Sequence, residues 1–157
     1  WVKQTFGDCL IVNCVNGNGN LLRDSDTQVG YSLSWHEGKI CVILSDGYPQ
    51  NKTIVYSKNT PSDNMWHHIA FTWSYYLEQK QQGEVAIYID GRYQDCIVEG
   101  KSNALIIQGR SKMTGIFTGE LNNLKTNLKI GQRINNENNT YRDFEIAEVR
   151  LWNVART

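Results

Sequence analysis

Met65-Trp-His-His-Ile-Ala-Phe-Thr-Trp-Ser74 and, after a polar interval, Gly83-Glu-Val-Ala-Ile-Tyr-Ile-Asp-Gly-Arg92 decide how this chain folds. Successive side chains of an extended strand point to opposite faces, so Ile69, Phe71 and Trp73 share one face and Ala70, Thr72 and Ser74 the other. Val85, Ile87 and Ile89 repeat that alternation. Asp90-Gly91 then supplies a tight hairpin turn, because glycine accepts positive φ. Two antiparallel strands with one apolar side each must cover those sides with a second sheet. The expected fold is therefore all-β, a two-sheet antiparallel β-sandwich.

The upstream half carries the same signals. Residues 8–15 read as a strand, and Asn16-Gly-Asn-Gly-Asn20 reads as a loop, since these residues tolerate left-handed backbone. Tyr31, Leu33 and Trp35 alternate with Ser32 and Ser34, which places Trp35 inside. Glu37-Gly38 turns the chain back into Ile40, Val42 and Leu44, and Asp46-Gly47 marks the next turn. Residues 52–57 form another short strand, and Pro61-Ser-Asp-Asn64 bends the chain into the opening stretch. Turns at a spacing of about ten residues are what a sandwich requires, and no helical period of useful length competes.

A length of 157 residues suits one domain with a full core, and 40% hydrophobic residues with only two prolines argue for a globular chain. Sixteen basic residues balance sixteen acidic ones, so there is no positive field to hold a phosphate backbone, and nucleic acid is not an expected partner. The longest apolar runs, Leu10-Ile-Val12 and Ala104-Leu-Ile-Ile107, fall far short of the roughly 20 residues of a membrane-spanning helix, so no membrane insertion is expected. Cys9 and Cys14, five apart in one strand, should point to opposite faces. Cys41 sits among Ile40, Val42 and Ile43 as a small hydrophobe, and no Cys-x-x-Cys pattern supports a zinc or redox motif. The pairing state of Cys9, Cys14, Cys41 and Cys96 stays open, with reduced thiols favoured over a disulfide.

Trp66-His67-His68-Ile69-Ala70, then Tyr88-Ile-Asp-Gly91, then Leu128-Lys-Ile-Gly-Gln132, then Ile146-Ala-Glu-Val-Arg-Leu-Trp-Asn153 together resemble the ordered signature of laminin-G-like, concanavalin A-like jelly rolls. The resemblance implies a jelly-roll topology in which a tryptophan-histidine pair opens a central strand and the last block closes the sheet. It implies that Trp66, Trp73 and Trp152 are core or near-core, that Leu151 lies in the sealed interior, and that the histidine pair is structural. It further implies that residues 1–157 form a single domain cut from a longer multidomain chain. Against the compact family pattern, residues 97–127 form an insertion. Ala104-Leu-Ile-Ile-Gln108 and Gly115-Ile-Phe-Thr118 predict an extra hairpin turned by residues 109–114, which either pads the sandwich edge or contacts a neighbouring domain or partner.

Catalysis finds little support in these residues. Relatives with this sandwich that cleave polysaccharides use two carboxylates about 5 Å apart across the sugar. Here Glu145 and Glu148, three apart, should project from opposite faces, and Glu148 shares a face with Arg150 as a charge pair. A glycoside hydrolase is the least favoured reading, and the chain is read as a non-enzyme. His67-His68 has no third ligand at metal spacing, and His36, beside a turn, is read as solvated.

The resemblance does raise calcium, which laminin-G-like and pentraxin-like relatives hold at the sandwich rim with loop oxygens. Asp24 and Asp26 are the candidate metal ligands, helped by Asn18 or Asn20. A second set, Asn135, Asn136, Asn138 and Asp143, precedes the last strand as a candidate ligand-binding loop. The chain departs from the family at Val29-Gly30 and at Ala147, where an acid is usual. Sugar stacking would need exposed aromatic faces, and Tyr48, Tyr75, Tyr76 and Tyr93 lie in or near turns, where they equally suit capping of strand ends. Asn51-Lys-Thr53 and Asn138-Asn-Thr140 fit the N-glycosylation acceptor pattern of a secreted eukaryotic protein. The expected function is recognition of a glycan or protein through rim loops in an extracellular or cell-surface protein, assisted by Ca²⁺ and flanked by neighbouring domains. The competing class is a structural domain packed within a large assembly.

Overall fold

The computed structural model describes residues 1–4, 7–16, 21, 28–48, 52–59, 64–76, 82–100, 115–117, 127–133 and 144–152. Every regular element among them is a strand. In chain order these are β1 (Val2–Gln4), β2 (Cys9–Val15), β3 (Val29–His36), β4 (Lys39–Asp46), β5 (Thr53–Ser57), β6 (Trp66–His67), β7 (Ile69–Tyr76), β8 (Gln82–Ile89), β9 (Arg92–Tyr93), β10 (Cys96–Gly100), β11 (Gly115–Phe117), β12 (Lys129–Arg133) and β13 (Phe144–Ile146). All pairings are antiparallel.

One layer is a six-stranded sheet in the order β10-β5-β4-β3-β2-β12. The other consists of two smaller sheets, β13-β1-β6 and β11-β8-β7, with β9 folded back on β8. Only His68 separates β6 from β7, so one nearly continuous strand joins the two small sheets. Between the layers lies a single apolar core: Leu33, Trp35, Ile40, Val42, Leu44 and Val55 from the large sheet face Val85, Ile87 and Ile89 of β8 and Val2 of β1. Phe71 and Trp73 pack against it from β7, as their alternation predicts. Each fully buried aliphatic side chain of this kind contributes about 1.5–3 kcal/mol. The architecture is all-β and sandwich-like.

Two hairpins have the backbone their sequences demand. Glu37-Gly38 links β3 to β4 with φ of 49° and 74°, and Asp90-Gly91 links β8 to β9 with φ of 52° and 71°. Positive φ at both central residues is the turn whose twist matches the flanking strands. Where the β4–β5 ladder ends, the Ser57 hydroxyl accepts the Ile40 N–H at 3.1 Å, so that buried donor is satisfied.

A bulge corrects the reading of the cysteines. In β2 the register against β3 slips between Leu10 and Val12, so Cys9 faces Trp35 while Cys14 faces Tyr31. Trp35 and Tyr31 lie four apart on a regular strand and share a face, hence Cys9 and Cys14 share one as well. All four cysteines are buried and free. Burial pushes the thiols of Cys9 and Cys41 up to about 12, with a backbone hydrogen bond at Cys9 and bonds from Ser34 and Tyr56 at Cys41 opposing it only in part.

The central strands of the large sheet, β2 to β4, are buried on their outer face too. Val15, Leu21, Cys41 and Ile43 form a second cluster there, with Ile54 and Tyr56 packed against it. Gly30, opposite Val15, is required by this packing. At its φ of 149°, a Cβ would lie 2.1 Å from the Cys14 carbonyl oxygen.

The chain departs from expectation after Ile146. The closing strand predicted over 146–153 ends there, because Glu148 adopts φ of 52° and breaks the extended run. Leu151 is consequently 57% exposed and Trp152 53% exposed, rather than sealed in the core. Trp66 is 40% exposed as well, since its place on β6 turns it to the outer face. In the 97–127 region, residues 115–117 are a strand that pairs with Gly83, Glu84 and Val85 of β8. The rest of the predicted hairpin, 104–114 and Thr118, lies outside the described residues.

Candidate functional site

The predicted metal ligands Asp24 and Asp26, with Asn18 and Asn20, lie outside the described residues, as do Asn135, Asn136, Asn138, Asp143 and the acceptor Asn51. The base of the first loop is described. The Asn16 N–H donates to the Val29 carbonyl at 3.0 Å, extending the β2–β3 ladder by one rung. Beside that rung the side-chain oxygens of Asn16 and Gln28 are both buried and have no hydrogen-bond partner among the described residues. Leaving a buried acceptor unsatisfied costs about 1–3 kcal/mol. Two such oxygens, on the residues that bracket 17–27 in the sequence, are of the kind calcium takes as ligands. Among the described residues no group of three His, Cys, Asp or Glu side chains could hold a metal.

A second surface was not foreseen. In the β13-β1-β6 sheet, Val2 pairs with Ile146 and His67. Val2 and Ile146 belong to the core, so the neighbouring positions Trp1, Lys3, Trp66, His68 and Glu145 alternate to the outer face. Trp1 is 44% exposed. Its ring meets the His68 imidazole edge-on at 5.4 Å. The Lys3 ammonium pairs with the Glu145 carboxylate at 3.0 Å. Trp1 and Ala147 exchange backbone hydrogen bonds of 2.8 and 3.0 Å, which hold the sheet end together.

The histidines hold hairpins. His67 Nδ1 lies 2.7 Å from Asp90 Oδ2, the His68 amide donates to Asp90 Oδ1 at 2.9 Å, and the Asp90 amide donates to the His68 carbonyl at 2.8 Å. Burial alone would raise the Asp90 carboxyl, but the His67 and His68 hydrogen bonds and their nearby charge outweigh it and hold the group below its ordinary range. His36 is likewise engaged rather than merely solvated. Its Nδ1 lies 2.8 Å from Asp8 Oδ2, and Asp8 Oδ1 accepts the Glu37 amide at 2.9 Å.

Neither of the two carboxylates considered for hydrolysis stands alone. Glu145 is paired with Lys3, and Glu148, beyond the end of β13, accepts from Arg150 at 3.3 Å. Tyr48 is exposed beside its turn, Tyr93 is half-buried against Tyr88 with ring centroids 5.6 Å apart, and Tyr75 and Tyr76 end β7. Compared with protein families, curated proteins and solved structures, the chain matches none of them.

Proposed function

We propose that this chain is a laminin-G-like, concanavalin A-like jelly-roll module that recognises a glycan or protein ligand, with no catalytic role, in an extracellular or cell-surface protein of several domains. The observation that carries the reading is the pair of buried oxygens of Asn16 and Gln28, which have no donor among the described residues, at the end of β2 and the start of β3. A Ca²⁺ ion would be held by Asp24 and Asp26 with these amide oxygens, satisfying both acceptors, and would supply a hard cation for the oxygens of a ligand. Asn18, Asn20 and the loop containing Asn135, Asn136, Asn138 and Asp143 supply amides for hydroxyl or carbonyl groups. The acceptor triplets at Asn51 and Asn138 suit a secreted protein.

Calcium titration with thermal unfolding tests this directly, since a ligand that binds only the folded state must stabilise it. Millimolar calcium should raise the melting temperature, and Asp24→Asn with Asp26→Asn should abolish the rise. An unchanged melting temperature contradicts the calcium site, and a glycan array read with calcium and with chelator then tests recognition separately. A second reading, a packing domain within a large assembly, draws on the exposed Leu151 and Trp152, which suit burial against a neighbouring domain.

A further inference from the structure

We infer that the outer face of the β13-β1-β6 sheet is a saccharide-binding platform on which the indoles of Trp1 and Trp66 stack against pyranose rings. The inference depends on the recognition role proposed above but not on the rim site, which lies at the end of β2 in the opposite layer. Trp66 sits opposite Lys3, and Trp1 stands one position beyond the Val2–His67 pair, so the two indoles are diagonal neighbours on adjacent strands. Diagonal cross-strand positions are about 7–8 Å apart, close enough for large rings to form one surface.

Two features select the occupant. The first is size. Strands of two or three residues, three abreast, make a face of roughly 10 Å by 10 Å. A stable protein interface buries about 800 Å² on each partner, several times what this face offers. One or two sugar rings match it. The second is chemistry. The indoles do not stand in an apolar field: the Lys3–Glu145 ion pair flanks them on one side and the exposed His68 imidazole on the other. A pyranose offers apolar C–H groups on its face and hydroxyls at its edge, so it can stack on the indoles while Lys3 and Glu145 donate to and accept from its rim.

The test follows the indole N–H signals of the whole chain by NMR, in chelator, while cellotetraose, maltotetraose and a hyaluronan tetrasaccharide are titrated in turn. The expected result is saturable movement of the Trp1 and Trp66 signals with at least one of these, while the buried Trp35 signal stays fixed. Trp66→Ala should weaken that binding at least tenfold with the melting temperature unchanged. Should Trp66→Ala not fold, Glu145→Gln should weaken it severalfold. Binding that requires calcium, is lost in Asp24→Asn with Asp26→Asn and ignores Trp66→Ala would overturn the platform while leaving the rim reading intact. No response of either indole to any of the three sugars overturns it also.

Discussion

The two layers of this molecule differ in how many faces they hide. The central strands β2, β3 and β4 of the six-stranded sheet are buried on both, with the shared core on one side and the Val15, Leu21, Cys41 and Ile43 cluster on the other. The opposite layer hides its inner face but is divided into two short sheets, and the β13-β1-β6 part turns two tryptophans outward. A strand buried on both faces can carry little chemistry besides packing. Side chains free to meet a ligand must then come from the rim or from the thinner layer.

Substitutions can break this contrast, and the largest effect belongs to the doubly buried sheet. Gly30→Ala places a Cβ 2.1 Å from the Cys14 carbonyl oxygen, so β2 and β3 must separate. The domain is expected to lose more than about 4 kcal/mol, or not to fold, in urea titration. A loss below 1 kcal/mol would show that the β2–β3 packing is looser than described. In the core between the layers, Ile87→Ala should cost about 2–5 kcal/mol by the same measurement.

A smaller effect is expected where β6 meets the β8–β9 hairpin. Asp90→Ala removes two bonds from a side chain that is 46% exposed, and should cost about 1 kcal/mol. Because the folded Asp90 carboxyl titrates below its unfolded range, its contribution is present above pH about 4 and is lost as pH falls through the folded value. The stability gap between parent and Asp90→Asn should therefore narrow on acidification, and a gap that widens would contradict the clamp. The smallest effect should come from the outward indole. Trp66→Ala should change stability by no more than about 0.5 kcal/mol. A larger loss would mean that Trp66 serves the core after all, as the family resemblance implied.

Much of this fold could be read from alternation. The Ile69, Phe71 and Trp73 face, its partner Val85, Ile87 and Ile89, and both two-residue turns lie where the residue pattern puts them. What escaped depended on single-residue slips. A bulge at Ile11 is invisible in a run of apolar residues, yet it moves Cys14 to the face of Cys9. The positive φ of Glu148 likewise ends a strand in a stretch whose side chains alternate well. The outer tryptophans carried a usable signal: Trp1-Val2-Lys3 alternates about an inward valine, which sends Trp1 out with Lys3 and, across the ladder, Trp66 with it. The buried oxygens of Asn16 and Gln28 had none, because an unsatisfied acceptor is a property of surroundings that the chain order does not display.

Hydroxyl-radical footprinting of the native protein, read residue by residue with mass spectrometry, tests the asymmetry of the two layers most directly. Trp1 and Trp66 should oxidise rapidly, while Trp35, Leu33, Ile43 and Ile87 stay protected until the protein unfolds. Rapid oxidation of Ile43, on the outer side of the large sheet, or protection of Trp66 equal to that of Trp35, would contradict it.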